Sequence, residues 1–201
     1  MTGSRWAASG GSSGEEYAAR FDRLADSGMD VHGEATLCAS LAPPGSTVLD
    51  AGCGTGRVAI RLADLGYRCV GVDVDISMLS IARLASAEVR WLDLDLVALD
   101  TVEETFDLVV AAGNVIPLLA PGTEASVVAA LARRLAPGGR LVTGFGLDAA
   151  HLPLAQAPFT LAAYDAWCAG AGLALADRFA TWDRRPFTGG GYAVSIHRRD
   201  L

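Results

Sequence analysis

"VLDAGCGTGRVA", Val48 to Ala59, leads from an apolar run through glycines at alternate positions, Gly52, Gly54 and Gly56, into sequence that suits a helix. Short apolar runs of this kind read as buried strands. A glycine-rich turn after such a strand lets a ligand approach the main chain and exposes the N–H groups at a helix N-terminus. Arg57 stands where a dinucleotide fingerprint would place its third glycine, which disfavours a nicotinamide or flavin site. By itself the turn also reads, with less weight, as a tight strand-to-helix connection without a ligand. The next apolar run, however, ends in "GVDVD" and places Asp73 about twenty residues beyond the first glycine, where a carboxylate accepts from both hydroxyls of a ribose. Together the two features describe a nucleoside site.

Working outward, a regular alternation begins at Thr47: strand 47–51, helix 57–65 stopped by Gly66, strand 68–72, helix 76–85, strand 89–92. A strand over 106–112, a helix over 124–135 ended by Pro137 and Gly138, and a strand over 140–145 continue it. Near-continuous apolar strands separated by helices indicate a parallel sheet covered on both faces. After a helix over 161–169 and a strand over 174–182, a Pro- and Gly-containing hairpin leads directly to a strand over 191–197. A direct hairpin makes that strand antiparallel, since a parallel pair needs a longer crossover. The expected fold is α/β, three-layered and doubly wound, with a mostly parallel seven-stranded sheet whose last strand is reversed. Two helices, 15–27 and 31–41, precede it, the second ended by Pro43 and Pro44. Residues 1–14 are rich in Gly, Ser and Ala without periodicity and read as a disordered tail. Residues 15–201 then form a single domain, with 15–44 as its N-terminal helical portion.

The chain has 201 residues, 51% of them hydrophobic, enough for one domain with a sizeable core. Its net charge is −7 with scattered basic residues, which argues against nucleic acid as a partner. Cys38, Cys53, Cys69 and Cys168 show neither metal-ligand spacing nor a disulfide framework, and no apolar run is long enough to span a bilayer. A reduced, cytoplasmic protein without a membrane partner is expected. His32, His151 and His197 form no metal-ligand motif, so no metal is expected.

These motifs, in this order, resemble those of the class I S-adenosylmethionine-dependent methyltransferases of the small seven-stranded kind. "VLDAGCGTG" is similar to that family's first motif, "VGVDVDISMLSIAR" to its second, "VRWLDLDL" to its third, "FDLVVAAGNV" to its fourth, and "LARRLAPGGRLV" to its helix and fifth strand. The resemblance extends from about Tyr17 to Arg199 and implies S-adenosylmethionine as cofactor, with S-adenosylhomocysteine as product. By the same resemblance Gly52, Cys53 and Gly54 would pass along the methionine and ribose, Asp73 would hold the ribose, and Asp50 would order the loop or meet the amino group through water. Asp95 would accept from the adenine amino group, with Asp93 as the competing register, and the backbone of Leu96 would pair the ring. Val74 would stand against the adenine face, and Ala112 and Gly113 would reach the methionine end. Asp75 and Ser77 depart from the family's commoner Ser and Glu, and Asp75 reads as a helix cap.

The motifs do not specify the methyl acceptor. Ligands of open α/β sheets lie beyond the carboxyl ends of the parallel strands, which sets His197 aside as structural and leaves four candidates for acceptor chemistry. Asn114 either orients an acceptor or braces the loop before Pro117. His151 is either a base partnered by Asp148 or an exposed loop residue. Tyr17 sits on a helix that, by resemblance, lies over the cofactor as a lid. His32, ahead of the second helix, lies near that wall. Arg184 and Arg185, with Trp182 and Phe187, would suit a carboxylate-bearing acceptor. The leading reading is in-line methyl transfer to a small-molecule acceptor. A catalytically silent S-adenosylmethionine-binding regulatory module and an NAD(P)-dependent reductase are the alternatives, and the oligomeric state is open.

Overall fold

Seven strands form one sheet: Thr47–Ala51 (β1), Arg68–Asp73 (β2), Arg90–Asp93 (β3), Phe106–Ala111 (β4), Leu135–Gly146 (β5), Leu173–Phe179 (β6) and Tyr192–Arg199 (β7). The structure, a computed structural model, describes residues 3–200. Met1 and Thr2, the start of the expected tail, and Leu201 lie outside the described residues. The strand order is β3-β2-β1-β4-β5-β7-β6. The first five strands pair in parallel, and β7 runs antiparallel to both of its neighbours, as the hairpin argument requires. Arg140 pairs with Arg198 and Gly146 with Tyr192, so β7 begins at the carboxyl end of β5.

Successive side chains of a strand point to opposite faces, and here both faces are apolar. Leu49, Val109, Leu141 and Phe145 pack on one side against Val127, Val128 and Leu131 of Glu124–Arg133 (α7) and Tyr164 and Cys168 of Leu161–Gly170 (α8). Val48, Leu108, Val110, Val142 and Ile196 pack on the other against Leu37 and Cys38 of Gly33–Ala39 (α3) and Val58, Ala59 and Leu62 of Arg57–Asp64 (α4). Burial on both faces explains why the central strands read as continuous apolar runs. Ile76–Ala85 (α5) matches its expected bounds, with Asp75 capping it through the N–H groups of Ser77 and Met78. β5 starts earlier than expected because Leu135 pairs with Phe106 before an irregularity at Pro137 and Gly138, after which the ladder resumes at Arg140.

Three short elements were not anticipated: Arg5–Ala8 (α1), Val115–Leu118 (α6) and the 3-10 helix Leu96–Thr101. The first corrects the reading of the N-terminus as an unstructured tail. Ser4 caps α1, Arg5 forms an ion pair of 2.7 Å with Glu124, and Trp6 Nε1 donates to Asp75 Oδ2 at 3.1 Å. Ser13 and Glu16 then form a reciprocal capping box that starts Gly14–Asp26 (α2). Gly14 donates to Ser77 Oγ at 3.2 Å, and a Cβ there would strike the Ser77 carbonyl. That close approach seats α2 on α5. The N-terminal segment is thereby strapped from α5 across to α6 and α7.

Candidate cofactor cavity

The glycine turn is stitched to β2 by its own main chain. Gly52 and Cys53 N–H both donate to the Val72 carbonyl, at 2.8 and 3.0 Å. Asp73 then joins two loops through one carboxylate, accepting from Gly54 N–H at 2.7 Å and Asp75 N–H at 2.9 Å. Gly52, Gly54 and Gly56 take φ of +72°, +55° and +83°, a region that side chains disfavour. Their surroundings differ. A Cβ on Gly52 would lie 2.6 Å from Val115 Cγ2, and one on Gly56 would strike the Trp91 ring, whereas one on Gly54 would meet nothing within 4 Å. The outer glycines admit neighbouring side chains, and the middle one faces open space.

That space is a cavity of about 670 Å³ at the carboxyl ends of β1, β2 and β4. Asp50, Gly52, Cys53, Gly54, Asp73, Val74, Asp95, Leu96, Ala112, Gly113 and Tyr17 all line it. Of the two registers for the third motif, Asp95 is on the wall and Asp93 is not. Asp95 also caps the 3-10 helix, accepting from Val97 N–H at 3.1 Å. His32, Asn114 and His151 are not on this wall. Sequence reasoning missed the contribution of α1, whose Trp6 and Ala7 line the cavity with Gly3 and Ser4 before it.

Asp50 is 2% exposed. Burial pushes its carboxyl up to about 7, against the pull of the Ala59 N–H bond and Arg57, and Asp73 adds to the rise. Burial likewise raises Asp73, opposed by its backbone N–H donors, and Tyr17. The Cys53 thiol is raised by burial and by both carboxylates, so it is not a nucleophile. Arg57 pairs with Glu34 at 2.6 and 2.9 Å, donates to the Val31 carbonyl, and lies 4.4 Å from the Phe21 ring centroid. One side chain at the start of α4 thus ties down α2 and α3. Phe21 in turn packs on Tyr17 at 5.1 Å, and Tyr17 meets Trp6 edge-on at 6.4 Å.

Beyond Gly113, Asn114 adopts φ +71° and opens α6. Its Oδ1 accepts from Gly146 N–H at 2.7 Å and its Nδ2 donates to the His151 carbonyl at 3.0 Å, so its amide braces two loops. His151 Nδ1 lies 2.7 Å from Asp148 Oδ1. Tyr192 stands beside His151 with ring centroids 6.2 Å apart and accepts from Trp182 Nε1 at 3.2 Å. Trp182 itself fills the space over Gly144. Arg184 donates to Ser40, and Arg185 pairs with Asp183 at 3.4 Å, both on the exposed hairpin. His32 precedes α3, its N–H donating to Asp30 at 2.8 Å. His197 is buried inside the sheet, edge-on to Tyr164 at 5.4 Å, and burial lowers it to about 4. Among the described residues no group of three or more His, Cys, Asp and Glu is placed to hold a metal, and no helix is long and apolar enough to cross a membrane.

Residues 48–139 match a family model described as a methyltransferase domain. The fold superposes on a TehB-like SAM-dependent methyltransferase from Corynebacterium glutamicum with a TM-score of 0.83 and 35% identity, covering 93% of this chain and 98% of that one. The CcbJ methyltransferase from Streptomyces caelestis gives a TM-score of 0.73 at 27% identity, covering 84% and 89%. A ribosomal protein L11 methyltransferase from Cupriavidus metallidurans is 36% identical over 127 residues, which is 61% of this chain and 37% of that protein. The chain therefore spans well under half the length of that curated relative.

Proposed function

Since the chain belongs to the class I S-adenosylmethionine-dependent methyltransferases, we propose that it transfers a methyl group from S-adenosylmethionine to a small-molecule acceptor. The observation that carries this reading is the single cavity that gathers the open face of Gly54, the carboxylates of Asp50, Asp73 and Asp95, and the Ala112–Gly113 edge. Its volume and its mixture of apolar wall with a few polar groups suit a nucleoside-sized ligand.

In this reading Asp73 accepts from the ribose hydroxyls with the lone pairs that Gly54 and Asp75 leave free. Asp95 accepts from the adenine amino group, Leu96 pairs the ring through its backbone, and Val74 covers its face. Gly52, Cys53 and Gly54 run along the ribose and methionine, Asp50 meets the amino group, and Ala112 and Gly113 border the reacting end. When bound, the cofactor supplies a methyl group already made electrophilic by a sulfonium sulfur. What remains for the protein is alignment and exclusion of water, to which Trp6 and Tyr17 contribute as a cover.

The net charge of −7, which opposes anionic polymers, supports a small acceptor. With Arg57 on the cavity wall neutralised by Glu34, a neutral acceptor fits that wall better than a carboxylate. Four free, buried cysteines suit a reducing, cytoplasmic setting. The test is methyl transfer from radiolabelled S-adenosylmethionine to a low-molecular-weight cell extract fraction, compared with tRNA, rRNA, DNA and protein fractions. Label is expected in the first alone. Label in a macromolecular fraction overturns the acceptor class, and binding of S-adenosylhomocysteine with no transfer to any fraction favours a silent binding module instead.

A further inference from the structure

The loop that follows β5 is seated on two glycines. A Cβ on Gly146 would lie 2.5 Å from the His151 carbonyl oxygen and 2.7 Å from its Cβ. On Gly191, just before β7, it would strike Asp148 Oδ2 and lie 2.6 Å from His151 Cε1. Leu147 N–H donates to the Gly191 carbonyl at 2.7 Å, which fixes the two seats relative to each other. Asn114, the neighbour of cavity-lining Gly113, holds the loop from the other side through the His151 carbonyl. Within the loop Asp148 Oδ1 accepts from Ala150 N–H at 3.0 Å and His151 N–H at 3.2 Å, besides meeting the imidazole. The contact with His151 holds the Asp148 carboxyl below its ordinary range. A connection between strand and helix needs none of this precision.

With Nδ1 committed to a carboxylate, the neutral imidazole carries its lone pair on Nε2. The ring is about half exposed, between Tyr192 and the loop that Asn114 braces, at the carboxyl end of the sheet. We propose that His151 is the general base of the methyl transfer, with Asp148 as its positioning residue, and that the acceptor is consequently the hydroxyl of a small aromatic compound. The proposal rests on the methyl-transfer reading above. A neutral amine already presents a lone pair to the methyl carbon, whereas a phenolic hydroxyl becomes a strong nucleophile only as its proton leaves, so a held base serves the hydroxyl. Tyr192 sets an aromatic ring beside His151, the kind of neighbour against which a phenolic ring packs. In the step, His151 Nε2 takes the hydroxyl proton and the oxygen lone pair forms the bond to the methyl carbon. The electrons of the carbon–sulfur bond remain on sulfur, leaving a methyl ether, S-adenosylhomocysteine and an imidazolium that returns its proton to water.

The experiment uses the full chain, radiolabelled S-adenosylmethionine, a panel of simple phenols and the low-molecular-weight extract fraction. Alongside it run calorimetry with S-adenosylhomocysteine and ¹⁵N spectra of histidine-labelled protein. The expected product is an alkali-stable methyl ether. His151→Gln should slow labelling about 10²-fold or more and remove the rising limb of the pH–rate profile. Its affinity for S-adenosylhomocysteine should stay within about twofold of the parent, because the pair lies off the cavity wall. Asp148→Asn should give a smaller loss of rate, and the Nδ1–H tautomer of His151 seen in the parent should be lost. Equal rates in parent and His151→Gln, an Nε2–H tautomer in the parent, or a product methylated on nitrogen or carbon overturns the assignment while methyl transfer stands. A parent that labels nothing overturns the methyl-transfer reading and this assignment with it.

Discussion

Replacing Asp50 by Asn should stabilise the ligand-free protein in alkaline solution while weakening its hold on the cofactor. Asp50 is buried at the end of β1, its Oδ2 accepting from Ala59 N–H at 3.1 Å, and its carboxyl is pushed from 3.8 up to about 7. A carboxyl whose folded-state pKa is raised contributes its full stability below the unfolded value, and that contribution is lost as pH rises through the folded one. At 1.36 kcal/mol per pH unit, the rise from 3.8 to about 7 corresponds to ~4 kcal/mol lost between pH 4 and pH 8. An asparagine keeps an acceptor for Ala59 and carries no charge, so it escapes the loss. At pH 8 the variant should therefore be the more stable by up to ~4 kcal/mol, a rise in Tm of roughly 2–4 °C per kcal/mol for a chain of this size. At pH 4 the two should be equal. The assay is urea unfolding of both proteins at half-unit steps of pH without ligand, read as the difference between them so that other titrating groups cancel. Calorimetry with S-adenosylhomocysteine at pH 8 completes it and should show weaker binding in the variant, since the cofactor's ammonium loses a buried anion. A variant no more stable than its parent at pH 8 would refute the argument that burial dominates the environment of Asp50.

His197 works in the opposite sense. Its folded-state pKa is lowered to about 4, so the stability it contributes is present above its unfolded value of 6.5 and lost as pH falls toward 4. This amounts to about 3 kcal/mol that a His197→Gln variant should not lose, measured by urea unfolding between pH 7 and pH 4. Gly56→Ala should cost ~3 kcal/mol in the same assay, because it combines a positive φ with a clash against Trp91. Gly54→Ala, with open space around it, should cost ~1–2 kcal/mol and instead weaken S-adenosylhomocysteine binding. Arg5→Ala should raise hydrogen exchange over residues 5–8 while changing global stability by less than ~1 kcal/mol, because release of the strap lets water reach Glu124. A large fall in Tm without faster exchange there would contradict it.

Most of the sheet was legible because burial on both faces writes itself as runs such as Val48–Leu49 and Leu108–Val110, bounded by glycine and proline. The reversal of β7 was legible from its hairpin. Its insertion between β5 and β6 was not, because strand order depends on pairing between distant segments. The cavity wall was legible where the main chain makes it, at Gly52, Gly54, Ala112 and Gly113, and where one side chain follows a strand, as Asp73 does. The strap was missed because Gly- and Ser-rich composition outweighed two local signals, the Ser13–Glu16 capping box and a lone Trp6. Arg57 read only as a missing glycine, since Glu34, Val31 and Phe21 reach it through tertiary packing. The spacing of Asp148 and His151 was visible, but nothing local marked Gly146 and Gly191 as their seats.

The position of β7 makes the chain its own inspector. It pairs with β5 on one side, through seven register pairs, and with β6 on the other, while its first residue, Tyr192, stands beside His151. A copy cut short before Tyr192 would leave β5 with an open edge and β6 detached, exposing apolar strands that invite association or degradation. The same loss removes Tyr192 from beside His151. A truncated copy would thus be marked for removal by the very defect that leaves its chemistry unfinished, so quality control and competence are read from one segment.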